Sequence, residues 1–152
     1  MNGDQARRRF AAARVGRLAT VTPSGMPHLV PVVFALADDY LYTAVDSKPK
    51  TTMALQRLSN IDATGRASLL VDEYAEDWST LWWVRVDGPA LVLAVGNAPQ
   101  RTALTWGRPE QVHTAVQALT HKYPQYIDQP PLGPVIAVRL TRWQWWEATP
   151  TT

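Results

Sequence analysis

Apolar and polar residues alternate in the first third of the chain, and a period of two is typical of half-buried β-strands. The alternation predicts a strand over residues 18–21 and a second strand over residues 28–36. Residues 22–25 (Thr-Pro-Ser-Gly) have the composition of a turn, so these strands are expected to form an antiparallel hairpin. A third strand over residues 40–45 completes a meander, and a short helix is predicted over residues 4–14 before it.

The middle of the chain changes to a helical period and then returns to strands. Apolar residues three or more positions apart predict a helix between residues 49 and 64, with its proline in the first turn. A compact apolar strand follows over residues 67–71. Residues 81–95 are predicted to form one long strand or two strands broken at residues 87–89, because a proline there cannot donate to a central ladder.

The last third is predicted to hold two helices, an ordered loop and a final strand. Helical spacing extends over residues 99–121 with one interruption, and four prolines make residues 123–134 an expected loop. An alternating strand is predicted over residues 135–146. Six strands with short helices between them predict a mainly β fold, a closed or nearly closed barrel. We expect residues 1–152 to form this single domain.

The composition removes several classes of function. The chain of 152 residues has no cysteine, which excludes disulfides, thiolate metal sites and a cysteine nucleophile. Its three histidines have no partners at ligand spacing, so no metal site is predicted. The balance of 15 basic against 13 acidic residues argues against a nucleic-acid partner. Because no apolar run is long enough to span a membrane or serve as a secretory signal, we expect a cytoplasmic protein.

A candidate phosphate site lies where the third predicted strand gives way to the helix. Ser47, Lys48 and Lys50 combine a hydroxyl and two ammonium groups with the N–H groups of a helix start, where the helix dipole favours an anion. Arg57 follows Lys50 by about two helical turns, so both side chains share one face if Lys50 is helical. A solvated basic helix face explains the same pattern, and both interpretations stay open here.

The seven tryptophans need a buried surface, an interface or a planar ligand. Trp82 and Trp83 are adjacent on a predicted strand, so their rings point to opposite faces. Arg85 shares a face with Trp83 and is expected to pair with an anionic ligand or with the carboxylates of residues 72–77. A core and dimer-interface role is the favoured interpretation for the rings, and stacking on a cofactor is the alternative.

Residues 17–21 with 28–34, 41–50 and 58–61 stand in an order that resembles a known family, the pyridoxamine 5'-phosphate oxidase-like flavin and deazaflavin F420 proteins of actinobacterial type. The resemblance covers nearly the whole chain. The segments most similar to a subgroup described as F420-dependent enzymes are Leu70-Val71-Asp72-Glu73-Tyr74, Glu76-Asp77-Trp78, 81–85 with Asp87-Gly88, Lys122-Tyr123-Pro124-Gln125-Tyr126, 131–136 and Arg142-Trp143.

This resemblance implies a six-stranded antiparallel split β-barrel that forms a homodimer, with cofactor sites in grooves between the subunits. The implied cofactor is coenzyme F420, and FMN is the alternative. The implied phosphate contacts are Ser47, Lys48, Lys50 and Arg57. The implied neighbours of the ring are the backbone of Val30, Pro31 and Val32, the residues Tyr42 and Thr43, the more weakly matched Asn60, and Trp83 and Arg85 from the partner chain.

The implied activity is hydride transfer between F420 and a small unsaturated substrate, with the protein supplying orientation and exclusion of water. A proton would come from solvent or from a residue such as His28 or Tyr42. The nearest alternative is an FMN-binding pyridoxamine phosphate oxidase-like oxidoreductase, and a non-catalytic carrier of flavin, haem or bilin is another. F420 has the longer anionic tail, so basic residues such as Arg139 or Arg142 along the groove would favour it.

Overall fold

The computed structural model describes residues 1–45, 52–93, 109–131 and 133–149. The helices among these residues are α1 (Gly3–Ala12), α2 (Thr52–Thr64), a 3₁₀ turn (Trp78–Thr80), α3 (Pro109–Lys122) and α4 (Gln125–Asp128). The strands are β1 (Gly16–Val21), β2 (Pro27–Val32), β3 (Ala35–Ala37), β4 (Tyr40–Ala44), β5 (Arg66–Glu73), β6 (Trp82–Leu93), β7 (Val135–Arg139) and β8 (Arg142–Glu147).

The order of the strands requires the sheet to curl into a barrel. It runs β2-β1-β5-β6-β7-β4-β3, and β8 pairs with β6 off this path. Strands β2 and β3 lie at opposite ends of this order, but only Val33 and Phe34 separate them in the chain. Because so short a link spans roughly 11 Å at most, the two ends of the sheet must meet. The predicted mainly β barrel with inserted helices is confirmed.

Strand β6 is shared between the two parts of the barrel. One edge pairs with β5, and the other pairs first with β8 over residues 82–87 and then with β7 over residues 90–93. Of the two predicted alternatives, one long strand is the one observed, and the chain does not break at residues 87–89. Ala90 donates its N–H toward β5, to the carbonyl of Gly65 at 2.9 Å. The nitrogen of Pro89 therefore faces the other edge, at the point where the partner changes from β8 to β7.

The described residues contain eight strands where six were predicted, because two of the predicted strands are each interrupted. The strand predicted over residues 28–36 stops before Phe34, whose backbone is bound by a side chain. The Phe34 N–H donates to the Tyr123 hydroxyl at 3.1 Å, and the Phe34 carbonyl lies 2.9 Å from the same hydroxyl. A tyrosine thus takes the place of a neighbouring strand at this corner.

The strand predicted over residues 135–146 is divided into β7 and β8 at Leu140 and Thr141. Gly88 of β6 faces this corner, and a Cβ built on Gly88 would lie 1.7 Å from the carbonyl oxygen of Arg139. The backbones approach too closely for any side chain. The corner therefore depends on glycine at this position.

Helix α1 packs on the apolar interior of the barrel. Its start is fixed by a capping box, in which the Asn2 side chain accepts from the Gln5 N–H and the Gln5 side chain accepts from the Asn2 N–H. Ala6 and Phe10, one turn apart, are fully buried. The Phe10 ring lies 5.2 Å from that of Phe34. The predicted first helix is confirmed, within two residues at either end.

A second apolar cluster lies between helix α3 and the sheet formed by β3, β4 and β7, with Leu119 and Tyr42 fully buried in it. Helix α3 covers the later part of the region where two helices were predicted. Residues 99–108, the region of the other predicted helix, lie outside the described residues. The predicted loop over residues 123–134 contains the short helix α4.

Candidate functional site

Five strands present one face away from the barrel interior, in the order β2-β1-β5-β6-β8. On β5 the buried residues Ala67, Leu69 and Val71 alternate with partly exposed ones, as expected for a half-buried sheet. We call the outward residues of these strands the outer face. They are Pro27, Leu29 and Pro31 on β2; Arg17, Ala19 and Val21 on β1; Arg66, Ser68, Leu70 and Asp72 on β5; Trp83, Arg85 and Asp87 on β6; and Arg142, Gln144 and Trp146 on β8.

Strand register arranges the outer face in three cross-strand rows. The first row is Leu29, Ala19, Ser68, Asp87 and Arg142. The second is Pro31, Arg17, Leu70, Arg85 and Gln144. The third is Asp72, Trp83 and Trp146. Residues from distant parts of the sequence therefore become neighbours on one surface.

Ion pairs fix the side chains in the middle of the outer face. Arg17 Nη1 lies 2.7 Å from Asp72 Oδ1. Arg85 binds Asp87 through two nitrogens, at 3.0 and 3.1 Å, and the Ser68 hydroxyl donates to the same carboxylate at 2.7 Å. These partly exposed pairs are worth only about 0–1 kcal/mol each. Their main effect is to hold the two guanidinium groups in place.

The pairing of Arg85 corrects the expectation drawn from the sequence. The carboxylates of residues 72–77 were the predicted intramolecular partners, but Arg85 binds Asp87 on its own strand and the side-chain oxygen of Gln144 on β8. Asp72 instead forms an ion pair with Arg17 of β1. Asp87 is within reach because residues two apart on a strand share a face.

Two adjoining grooves cross the outer face, with volumes of ≈ 580 and ≈ 570 Å³. Small-molecule sites commonly enclose about 300–1,000 Å³. The aromatic groove is lined by Arg17, Ala19, Leu29, Ser68, Leu70, Asp72, Tyr74, Trp83 and Arg85. The basic groove is lined by Ala19, Thr20, Val21, Gly65, Arg66, Ala67, Ser68, Asp87, Gly88, Pro89, Thr141 and Arg142. Ala19 and Ser68 belong to both, so the grooves are continuous.

Three of the predicted ring neighbours lie on the outer face. Trp83 and Arg85 line the aromatic groove together, and Pro31 stands beside Arg17 in the second row. The side chains of Val30 and Val32 point into the barrel core instead. Among the described strands, β2 pairs only with β1. The backbone groups on the other edge of Val30–Val32 therefore take no part in the pairing of β1 with β2.

Tyr42 and Thr43 are buried on β4 and line neither groove. Tyr42 packs beneath α3, where its hydroxyl accepts from the Gln111 side chain at 3.3 Å. Burial raises the pKa of this phenol. Their contact with a ring stays a prediction from the resemblance. Neither Tyr42 nor His28 faces the grooves, as a proton donor would. His28 is two residues from the inward Val30 on β2 and therefore shares its face of the strand.

Asn60 attaches helix α2 to the edge of the basic groove. Its buried amide donates to the Thr20 hydroxyl at 3.0 Å and accepts from Gln56 at 2.7 Å. Thr20 lines the basic groove, and Arg57 lies one helical turn before Asn60. The candidate phosphate residues Ser47, Lys48 and Lys50 lie outside the described residues, so their role stays a prediction.

Sequence reasoning missed Arg17, Leu29, Ser68 and Asp72 as groove residues. Alternation marks each as outward, but only the register of β2, β1 and β5 makes them neighbours. Within the described ranges, no group of three His, Cys, Asp or Glu residues is placed to hold a metal ion. No helix in the same part of the chain is both long and apolar enough to cross a membrane.

An antiparallel sheet curled into a barrel, with helices against it and a grooved outer face, defines the class of split β-barrel proteins. The chain belongs to the pyridoxamine 5'-phosphate oxidase family, whose model matches residues 3–144. The resemblance to pyridoxamine 5'-phosphate oxidase-like proteins that was drawn from the sequence is thereby confirmed. No curated protein matches the chain.

Solved structures share this fold at low sequence identity. A conserved hypothetical protein of Mycobacterium tuberculosis is 20% identical with a TM-score of 0.70, over 97% of this chain and 85% of the other. A FAD-binding protein of Mesorhizobium loti is 21% identical with a TM-score of 0.65, over 95% and 94%. The haem storage protein HutZ of Vibrio cholerae is 14% identical with a TM-score of 0.64, over 97% and 95%.

Proposed function

We propose that this chain is an F420-dependent oxidoreductase that acts as a homodimer and transfers a hydride between the deazaflavin and a small unsaturated substrate. One observation carries the proposal: a groove with an aromatic wall and two fixed arginines continues into a second groove that ends at Arg66 and Arg142. Family membership supports oxidoreductase chemistry, and the FAD-binding neighbour supports a ligand of the flavin type.

The aromatic groove suits a planar ring that has apolar surface and polar edges. Trp83, Leu29 and Leu70 provide apolar walls. A guanidinium has five N–H donors, so Arg17 and Arg85 keep donors for a ring carbonyl after binding their carboxylates. Because these carboxylates already orient both arginines, little side-chain entropy is lost on binding.

The basic groove favours F420 over FMN as the ligand. Arg142, one of the basic residues expected to favour F420 because of its longer anionic tail, lines this groove, whereas Arg139 does not. Arg66 lies in the same groove, and Arg57 stands on the helix that contacts Thr20 at its edge. An FMN phosphate would need fewer of these cations.

The residues of the chain bind the cofactor, orient it and exclude water from it. When bound, F420 supplies the hydride chemistry. Trp83 and Leu29 line the aromatic groove, which is open to the outside of the outer face. A second subunit on the outer face would narrow this opening and limit the access of bulk solvent to the reacting atoms. Since His28 and Tyr42 lie away from the grooves, we expect the proton to come from solvent.

The proposal is tested by titrating the purified protein with F420 and, in a separate experiment, with FMN, and by measuring binding from the change in fluorescence. An Arg142→Ala variant should weaken F420 binding about tenfold, the cost of one charge-assisted hydrogen bond at a partly exposed site, and should affect FMN less. Arg139→Ala is the matched control, because this arginine is exposed on β7 but lines neither groove.

Each result decides between the candidate functions. Tighter binding of FMN than of F420 would reassign the protein to the FMN-dependent oxidoreductases. Binding of neither cofactor, with haem bound in their place, would make it a carrier. F420 binding without any effect of protein on the oxidation of reduced F420 by unsaturated acceptors would refute the enzymatic part of the proposal.

A further inference from the structure

The wall of the aromatic groove includes a tyrosine, Tyr74, whose hydroxyl group has no role so far. Tyr74 directly follows the last residue of β5 and is 66% exposed. Because side chains alternate along an extended chain, it continues the outward series of Leu70 and Asp72. Tyr74 therefore extends the groove wall at the end where the chain leaves β5 for β6.

The chain is fixed on both sides of Tyr74. Glu73, the residue before it, is in register with Trp82 of β6, and its carboxylate accepts from the Trp82 indole N–H at 3.1 Å. After it, Asp77 caps the 3₁₀ turn by accepting from the N–H and the hydroxyl of Ser79, at 2.9 and 2.6 Å. These contacts anchor the connection between β5 and β6, so Tyr74 is held at the mouth of the groove.

The other polar side chains of the aromatic groove are unsuited to giving up a proton. They are Arg17, Ser68, Asp72, Trp83 and Arg85. The guanidinium and indole groups keep their protons in proteins. The aspartate is a carboxylate in its ion pair with Arg17, and the serine hydroxyl is already donated to Asp87, at 2.7 Å. A phenol is a weak acid that can lose and regain a proton, so Tyr74 is the residue of this groove suited to proton transfer.

We propose that the Tyr74 hydroxyl is the catalytic acid of the F420-dependent reduction and passes a proton from solvent to the substrate. The inference rests on the proposed function and adds a catalytic residue to it. Solvent remains the source of the proton, because the exposed side chain of Tyr74 can be reprotonated from water.

The proposed step balances protons and electrons. Hydride addition from the reduced deazaflavin to one carbon of an electron-poor C=C bond leaves an electron pair on the neighbouring carbon. The O–H bond of Tyr74 then breaks, and a C–H bond forms at that neighbouring carbon. The substrate has gained one hydride and one proton, a two-electron reduction, and the phenolate of Tyr74 takes a proton from solvent.

Nitration with tetranitromethane tests the place of Tyr74 without turnover. The other four of the five tyrosines are buried or partly buried, and no cysteine competes for the reagent. The protein should therefore take up one nitro group, at Tyr74, and the Tyr74→Phe variant should take up none. Saturating F420 should slow this nitration about tenfold, because a ligand in such a groove covers most of the side chains that line it. Peptide mass spectrometry measures the extent of nitration.

Turnover tests the proton transfer itself, with 2-cyclohexen-1-one as the unsaturated acceptor and reduced F420 as the electron donor. Tyr74→Phe should lower kcat on the order of 100-fold, the usual contribution of a placed acid, and should leave the F420 dissociation constant within about threefold of the wild type. Tyr40→Phe is the matched control, because it also loses one hydroxyl but Tyr40 lines neither groove. The control should change neither constant.

Two results from nitration would overturn the proposed acid. Bound F420 that leaves the nitration rate of Tyr74 unchanged would show that the phenol does not face the cofactor. A phenol that resists nitration in the cofactor-free protein would show that solvent does not reach it.

The kinetic results separate the acid from the function. A kcat of Tyr74→Phe within about threefold of the wild type removes the acid and leaves the reductase standing. Activity lost only through weaker F420 binding makes Tyr74 a binding residue and also removes the acid. If the wild type oxidises no reduced F420 with cyclohexenone or other activated alkenes, the proposed function fails and the acid fails with it.

Discussion

Replacing Gly88 by alanine should strongly destabilise the fold, because the new methyl group has no space. Its carbon would lie 1.7 Å from the carbonyl oxygen of Arg139 and 2.9 Å from the carbonyl carbon, whereas ordinary contact is 3.4–4 Å. Either β6 or the Arg139 peptide must move by roughly 2 Å to restore a normal contact distance. Arg139 is in register with Tyr40, so this movement also disturbs the pairing of β7 with β4.

The cost follows from the strain and the lost bonds. Overpacking costs about 1–3 kcal/mol, and two weakened backbone hydrogen bonds add a similar amount, so Gly88→Ala should lower the free energy of unfolding by about 2–6 kcal/mol. Urea titration followed by tryptophan fluorescence measures this directly. A smaller loss is expected for a glycine that has room around it and does not have a positive φ.

Gly3→Ala is the matched control, because a Cβ on Gly3 meets the Trp145 ring at 3.6 Å, an ordinary contact. It should change the free energy of unfolding by less than about 0.5 kcal/mol. The reasoning fails if Gly88→Ala unfolds within about 1 kcal/mol of the wild type with the same m-value. Such a result would mean that the corner between β7 and β8 adapts at little cost.

Three further changes test the contacts that hold the barrel together. Tyr123→Phe should cost about 1–3 kcal/mol, because the buried Phe34 N–H loses its acceptor; urea titration measures this, and an unchanged midpoint would contradict it. Asn60→Ala should cost a similar amount by losing the bond to Thr20, and full stability would show that α2 is held otherwise. Burial lowers the pKa of Lys122 from 10.5 to about 8, with the nearby Arg14 adding to the effect. Between these values the unfolded chain holds more protons, so wild-type stability should rise with pH from about 8 to 10, and Lys122→Met should remove that rise in urea titrations at several pH values.

Alternation along the chain predicted which residues of a strand share a face, and little beyond that. Trp83 and Arg85 lie on one side of β6, and the hairpin of β1 and β2 forms where its turn composition indicated. These features are local. They depend on the period of two and on the conformations that the turn residues prefer.

The corners of the barrel depend on contacts between distant residues, which no local pattern encodes. Phe34 meets Tyr123 across 89 positions, and this contact ends a strand that the sequence pattern continues. Pro89 has strand-breaking character, but its effect depends on which edge its nitrogen faces. The partners of Arg17 and Arg85 likewise depend on register, because outward carboxylates stand on more than one neighbouring strand.

The strands that pair with the two edges of β6 are synthesised at different times on the ribosome. β5 precedes β6 in the chain, whereas β7 and β8 are translated some 40 residues or more after it, so half of its hydrogen bonds form last. One contact of helix α1 also forms late, because Arg9 pairs with Glu147 of β8 at 2.8 Å. A nascent chain stopped before β8 would therefore expose an unpaired strand edge, the feature that chaperones recognise and that aggregation exploits.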